Sequence, residues 1–233
     1  MSRKFSLCVV MISVILGTFM MAEGGRAEAA FGTDIVGRSA ITSFGEMIDA
    51  LPSEPVADAV AEVWALDAPD KSARFAWRRD AGGSRPYDAY ITFEAAPFIA
   101  AGLDVSRLPE GLVAGDKIVI GTKLSGEPLV YDGDITPKTS FEQIVKLDRD
   151  SIGYHAALDH YGVTVSEGSL VEWAKDMTKN DKDLVFVVNP KIFIEAGVDP
   201  SKVSGWTFTK VPVEDANGRK FDADKFLKPF DLK

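Results

Sequence analysis

One cysteine and two histidines are all that this 233-residue chain holds of the side chains most used for thiolate, metal and general-base chemistry. The cysteine, Cys8, falls in an N-terminal segment read below as a cleaved signal. The protein left after cleavage then has no disulfide, no thiolate metal site and no cysteine nucleophile. The motifs of common catalytic and cofactor chemistry are missing as well: no Gly-rich phosphate loop, no HExxH and no GxSxG. No cofactor is implied. Net positive charge is also lacking, with 35 acidic against 26 basic side chains and a formal charge of -9. That balance excludes a binder of the phosphate backbone, and so nucleic acid as a partner. The remaining composition, 46% hydrophobic and 26% charged, excludes disordered, collagen-like and disulfide-scaffold classes.

The one long apolar run is at the start. Arg3 and Lys4 precede an uncharged stretch from Phe5 to Ala22, and Ala27-Glu28-Ala29 follows. Positive start, apolar middle and small-residue box form a secretory signal peptide over residues 1–29, with the cut after Ala29. The apolar run from Phe5 to Ala22 already reaches the roughly 17 residues that a spanning helix needs, so an uncleaved N-terminal anchor is the alternative. No later stretch is apolar for long enough to span a membrane. The expected location is therefore periplasmic or secreted.

The chain repeats itself. Phe98-Ile99-Ala100-Ala101-Gly102-Leu103-Asp104-Val105-Ser106-Arg107-Leu108 matches residues 193–203, with six of eleven positions identical. Three shorter blocks fall in the same order: Thr42-Ser43-Phe44 with Thr139-Ser140-Phe141, Trp77–Asp80 with Trp173–Asp176, and Tyr131–Asp134 with Phe221–Asp224. Two tandem modules follow, residues 40–136 and 137–233, after a short segment 30–39. The join Ile135-Thr136-Pro137-Lys138 is no flexible tether, so the modules are expected to pack together about a pseudo-twofold axis.

Within each module, Thr-Ser before an apolar periodic run predicts a capped helix starting there. A second helix is expected over Val56–Leu66 and Ile152–Tyr161. Alternation over Phe75–Trp77 and Tyr87–Phe93 predicts a hairpin, as do Leu170–Lys175 and Leu184–Val188. A short helix follows, ended by Gly102 or Gly197 as its left-handed terminator. The last hairpin is read as Lys117–Lys123 turning at Leu124–Glu127 to return through Pro128–Tyr131, and as Thr207–Val213 turning at Asp215–Gly218. The fold class is α+β, two internally duplicated modules of short helices and β-hairpins.

The best binding candidate is a basic and aromatic cluster on the first hairpin: Trp77, Arg78, Arg79, Arg85 and Tyr87, in an otherwise acidic chain. Arginine forks and aromatic rings grip anionic groups. The competing reading is an arginine-rich strand face backed by a buried Trp77. His155 and His160 lie about 140° apart on the expected helix, whereas His155 and Asp159 share a face. That pair supports a hydrolase as the least favoured reading, with no catalytic residue assigned. Asp132/Asp134 and Asp222/Asp224 are oxygen pairs suited to Ca²⁺, but neither extends to a full loop and no metal is assigned. Asp104/Asp199 with the following serine read as braces of a tight turn. The function expected is an exported, non-enzymatic binding protein holding a small anionic ligand or an exported protein partner. An envelope assembly protein that self-associates is the alternative.

Overall fold

The structure is a computed structural model and describes residues 32–51, 55–59, 61–82, 85–124, 133–155, 158–176, 182–214 and 219–231; the side chains of 32–38, Arg149 and Glu214 are not described. The signal segment, the return strand expected at 128–131 with Asp132, and the turns expected at 83–84, 125–127, 178–180 and 215–218 lie outside the described residues.

Helix α1 spans Gly32–Ala50. Strands β1 (Val56–Asp58), β2 (Val63–Asp67), β3 (Ala73–Arg78) and β4 (Ala89–Glu94) follow, then helix α2 (Ala96–Ala100), β5 (Val113–Ala114) and β6 (Lys117–Thr122). The second half runs α3 (Pro137–Leu147), β7 (Ile152–His155), β8 (His160–Ser166), β9 (Ser169–Ala174), β10 (Leu184–Val188), α4 (Lys191–Glu195), β11 (Thr207–Glu214) and β12 (Lys220–Phe230). All pairings are antiparallel. The first sheet is ordered β1-β2-β3-β4-β6-β5, and the second, read from its other edge, is β7-β8-β9-β10-β12-β11. Strand for strand these are the same order. The α+β class holds, in a strand-rich form.

Alternation places Phe75, Trp77, Ile91, Phe93, Ile118 and Ile120 on the inner face of the first sheet, and Val163, Val165, Val171, Trp173, Phe186 and Val188 on that of the second. Both inner faces and all four helices contribute to one apolar cluster. Burial of each such large side chain contributes about 1.5–3 kcal/mol, and the main core is shared by the two sheets, with only small separate clusters around Val63, Ala65 and Ala76 and around Leu170, Val185 and Val187.

The repeated blocks meet at the centre of this cluster. Phe44 of α1 and Phe141 of α3 stack with centroids 3.6 Å apart, and each also packs edge-on against both Trp77 and Trp173. Phe98 and Phe193 lie 5.0 Å apart. The helices cross over: Ser43 on α1 donates to Ala174 O at the end of β9, and Ser140 on α3 donates to Arg79 O just past β3. Backbone bonds repeat the exchange, Asp104 N to Ala196 O at 2.9 Å and Asp199 N to Ala101 O at 2.8 Å. These contacts are reciprocal between the two halves of the chain.

Three expectations are corrected. Val56–Leu66 and Ile152–Tyr161 are hairpins β1–β2 and β7–β8, not helices. Among the described residues each turns through one non-glycine residue at positive φ, Glu62 or Asp159, and pairing with β3 or β9 overrides the helical preference of their alanines and of Glu62. Thr42-Ser43 does not start a helix. It sits inside α1, and α3 is capped earlier by Thr136 with Thr139 in a capping box. In the fourth repeated block, Asp222 and Asp224 stand on β12 and Asp134 precedes α3, while Tyr131 and Asp132 lie outside the described residues. Gly102 and Gly197 do terminate α2 and α4 at φ +105 and +101.

Candidate functional site

Strand alternation divides the five predicted binding residues between two faces. Trp77 points inward, fully buried, with its indole N–H on Pro137 O at 3.0 Å. It belongs to the core and cannot share a ligand with an outward arginine. Arg79 follows it on the same side, its guanidinium 5.1 Å from the Trp64 ring centroid. Arg78 points outward but is itself buried, donating to Tyr87 O at 2.8 Å and to Ala61 O. Those carbonyls hold the fork without neutralising its charge. Burial holds the Arg78 guanidinium below its ordinary range, and the nearby Arg85 charge pushes the same way.

Arg85 and Tyr87 join Arg78 on that outer face. Arg85 bonds Glu62 through Nε and a terminal nitrogen at 3.1 and 2.9 Å, and both side chains are about half exposed. Tyr87 lies over Gly121, where any Cβ would come within 2.6 Å of the tyrosine and of Tyr90. Asp88, fully buried and singled out by no sequence signal, accepts from Gly82 N, Leu124 N and the Lys123 ammonium. It thereby fixes the loop that carries Arg85 and Tyr87.

The second sheet carries a different group on its outer face. His155 and His160 are not on a helix; they are direct cross-strand partners at the turn end of the β7–β8 hairpin. Register gives them the places that Asp58 and Val63 hold in the first sheet. Beside them stands Glu172 of β9. His155 Nδ1 is 3.2 Å from Glu172 Oε1, and His160 Nδ1 is 3.8 Å from Glu172 Oε2. Glu172 and His160 are buried, and His155 Nε2, His160 Nδ1 and Glu172 Oε2 have no hydrogen-bond partner among the described residues. Burial raises the Glu172 carboxyl, but hydrogen bonds and charge from the two imidazoles outweigh it and hold it below the usual range. Lys225 of β12, whose amine is lowered by burial, donates to Gly168 O and is coupled to Glu172 through charge.

Asp159 is not the partner of His155. Its carboxylate accepts from the Tyr154 hydroxyl and lies 3.8 Å from the Lys175 ammonium, so the pairing behind the hydrolase reading is not formed. Glu172 was invisible to helical spacing because it lies 17 residues from His155. The available signal was a lone carboxylate in the otherwise apolar strand Leu170-Val171-Glu172-Trp173-Ala174. Asp224 pairs with Lys210 across β11–β12 at 3.2 Å, and among the described residues no three His, Cys, Asp or Glu side chains converge as a metal set. Asp104 and Asp199 each accept from the N–H and hydroxyl of the serine two residues on, the turn-bracing role expected of them. Among the described residues, no helix is long and apolar enough to cross a membrane. No family model, curated protein or solved structure matches this chain.

Proposed function

We propose that the protein is an exported, internally duplicated, non-enzymatic binding protein. It takes an anionic group, carboxylate or phosphate, on the outer face of its first sheet at Arg78, Arg85 and Tyr87. The observation that carries this reading is the gathering of those three residues on one face whose counterpart has no such set: Ala174 stands where Arg78 does. Duplication is supported by the common strand order and the reciprocal contacts between the halves. In a duplicated protein, positions kept alike serve the shared fold, and a binding function is sought where the copies differ. Arg85 suits the role because its exposed pair with Glu62 is worth little in water, so an incoming anion can replace it. Arg78 supplies a fixed positive charge beneath.

Self-association into an envelope assembly is less well supported. The sheet edges are short, three residues in β1, two in β5 and four in β7, and the eight-residue β11 carries Lys210 and Pro212. Proline and lysine on an edge oppose strand addition. The test is calorimetric titration with inorganic phosphate and with citrate at low ionic strength. Binding to either, weakened tenfold or more in Arg85→Glu without loss of thermal stability, supports the reading. Binding unchanged by that substitution removes the site.

A further inference from the structure

The histidine pair on the second sheet belongs to neither the shared centre nor the arginine face. We propose that the β7–β8 hairpin is a proton-operated latch, held to β9 by an imidazolium of His160 or His155 on Glu172 and loosened when that proton leaves.

The geometry is one carboxylate between two imidazoles that face each other across a hairpin. His155 already reaches Oε1, while Oε2 and His160 Nδ1 stand 3.8 Å apart with no hydrogen shared between them. With the neutral ring's hydrogen on Nε2, His160 Nδ1 and Glu172 Oε2 are two buried acceptors facing each other, which is costly. A neutral ring with its hydrogen on Nδ1 could bridge the gap only as an uncharged donor; the imidazolium bridges it with the stronger, charge-assisted bond and satisfies both orphaned atoms. Imidazole is the ordinary side chain whose charge changes between pH 5 and 8.

The surrounding charges limit the latch to one proton. From β7 come His155 and Tyr154, from β8 His160, from β9 Glu172, from the turn between them Glu167, and from β12 Lys225; β10 contributes Val185 and Val187, and the buried carboxylate of Asp183 just before it lies one strand beyond Ala174, the cross-strand partner of His160. Asp159, Tyr154 and Lys175 form their own exposed group at the hairpin turn. Lys225 and Glu172 offset each other, so the first imidazolium meets Glu172 and the second meets the first imidazolium as well as Lys225. The proton stabilises the fold while bound, so stability falls as pH rises and the imidazolium deprotonates. It also falls at low pH once Glu172 protonates and the acceptor charge is gone. The most stable state is mildly acidic.

With only two histidines in the chain, their NMR titration is unambiguous. The test follows imidazole ¹⁵N shifts and urea-unfolding midpoints from pH 5 to 8.5 in the wild type and Glu172→Gln. The account expects the two imidazoles to titrate in coupled steps. It also expects the wild-type unfolding constant to rise with pH by up to tenfold per unit, the limit for one linked proton, and the near-isosteric Glu172→Gln to lose that slope. A flat midpoint, a slope retained in Glu172→Gln, or two independent single-step titrations overturns the latch. So does stoichiometric capture of both imidazoles by added Zn²⁺, which makes the cluster a metal site. The wild-type titration alone decides the matter if the variant does not fold.

Discussion

Gly102 and Gly197 face each other between the two halves, so that a Cβ on either falls on the other's carbonyl oxygen, at 2.8 Å for Gly102 and 3.0 Å for Gly197. Both are at positive φ. Each glycine is therefore at once a helix terminator and a point of close backbone approach between the halves.

Gly102→Ala and Gly197→Ala should each cost about 2–4 kcal/mol, combining left-handed strain of about 1–2 kcal/mol with a backbone displacement. Gly111→Ala is the control: φ is +83, and nothing lies within 4 Å of its would-be Cβ, so only the strain cost should appear. The double substitution at 102 and 197 should be non-additive, because one shift of the loops relieves both clashes. Urea-unfolding midpoints measure all four.

The crossing serines should differ in weight. Ser140 donates to Arg79 O and accepts from the Trp64 indole N–H at 3.0 Å. Ser140→Ala should cost about 1–3 kcal/mol, since it orphans a donor as well as losing a bond. Ser43→Ala removes a side chain that only donates, to Ala174 O and more distantly to Lys175 O, and should cost about 0.5–1.5 kcal/mol. Equal effects would contradict the asymmetry.

Much of the centre is legible in the sequence. The Phe98–Leu108 segment stands out on self-comparison because each copy's residues pack against the other's, and Trp77 and Trp173, Phe44 and Phe141 stand out for the same reason. The serines read locally as helix caps, since Ser is a common N-cap and nothing local reveals a partner 131 residues away. Val56–Leu66 reads as helix because its Ala and Glu favour one, while its strand state depends on β3. The arginine cluster reads as one feature of a hairpin, but its division between two faces follows from which side of β3 is core.

The two outer-face arginines should separate fold from binding. Arg78→Lys loses the planar fork that spans Tyr87 O and Ala61 O and should destabilise by about 1–3 kcal/mol. Arg85→Ala should stay within about 0.5 kcal/mol, the worth of an exposed ion pair, as read by thermal unfolding.

Tyr154 donates to Asp159, and that bond, with burial and the Asp159 charge, pushes its phenol up to about 12. An ultraviolet titration at 295 nm should show one tyrosine ionising well after the earliest, and Tyr154→Phe should remove that late step. Because the folded state holds this proton more tightly, the stability it contributes is present below pH 10 and lost as pH rises towards 12. An unchanged late step in Tyr154→Phe would assign it to another tyrosine.

The binding account is tested most directly by native mass spectrometry of the protein recovered gently from its own envelope fraction. It predicts a monomer beginning at Ala30 that carries the extra mass of an anionic ligand, absent from Arg85→Glu prepared in the same way. A ligand-free homo-oligomer, or an adduct that persists unchanged in Arg85→Glu, would contradict it.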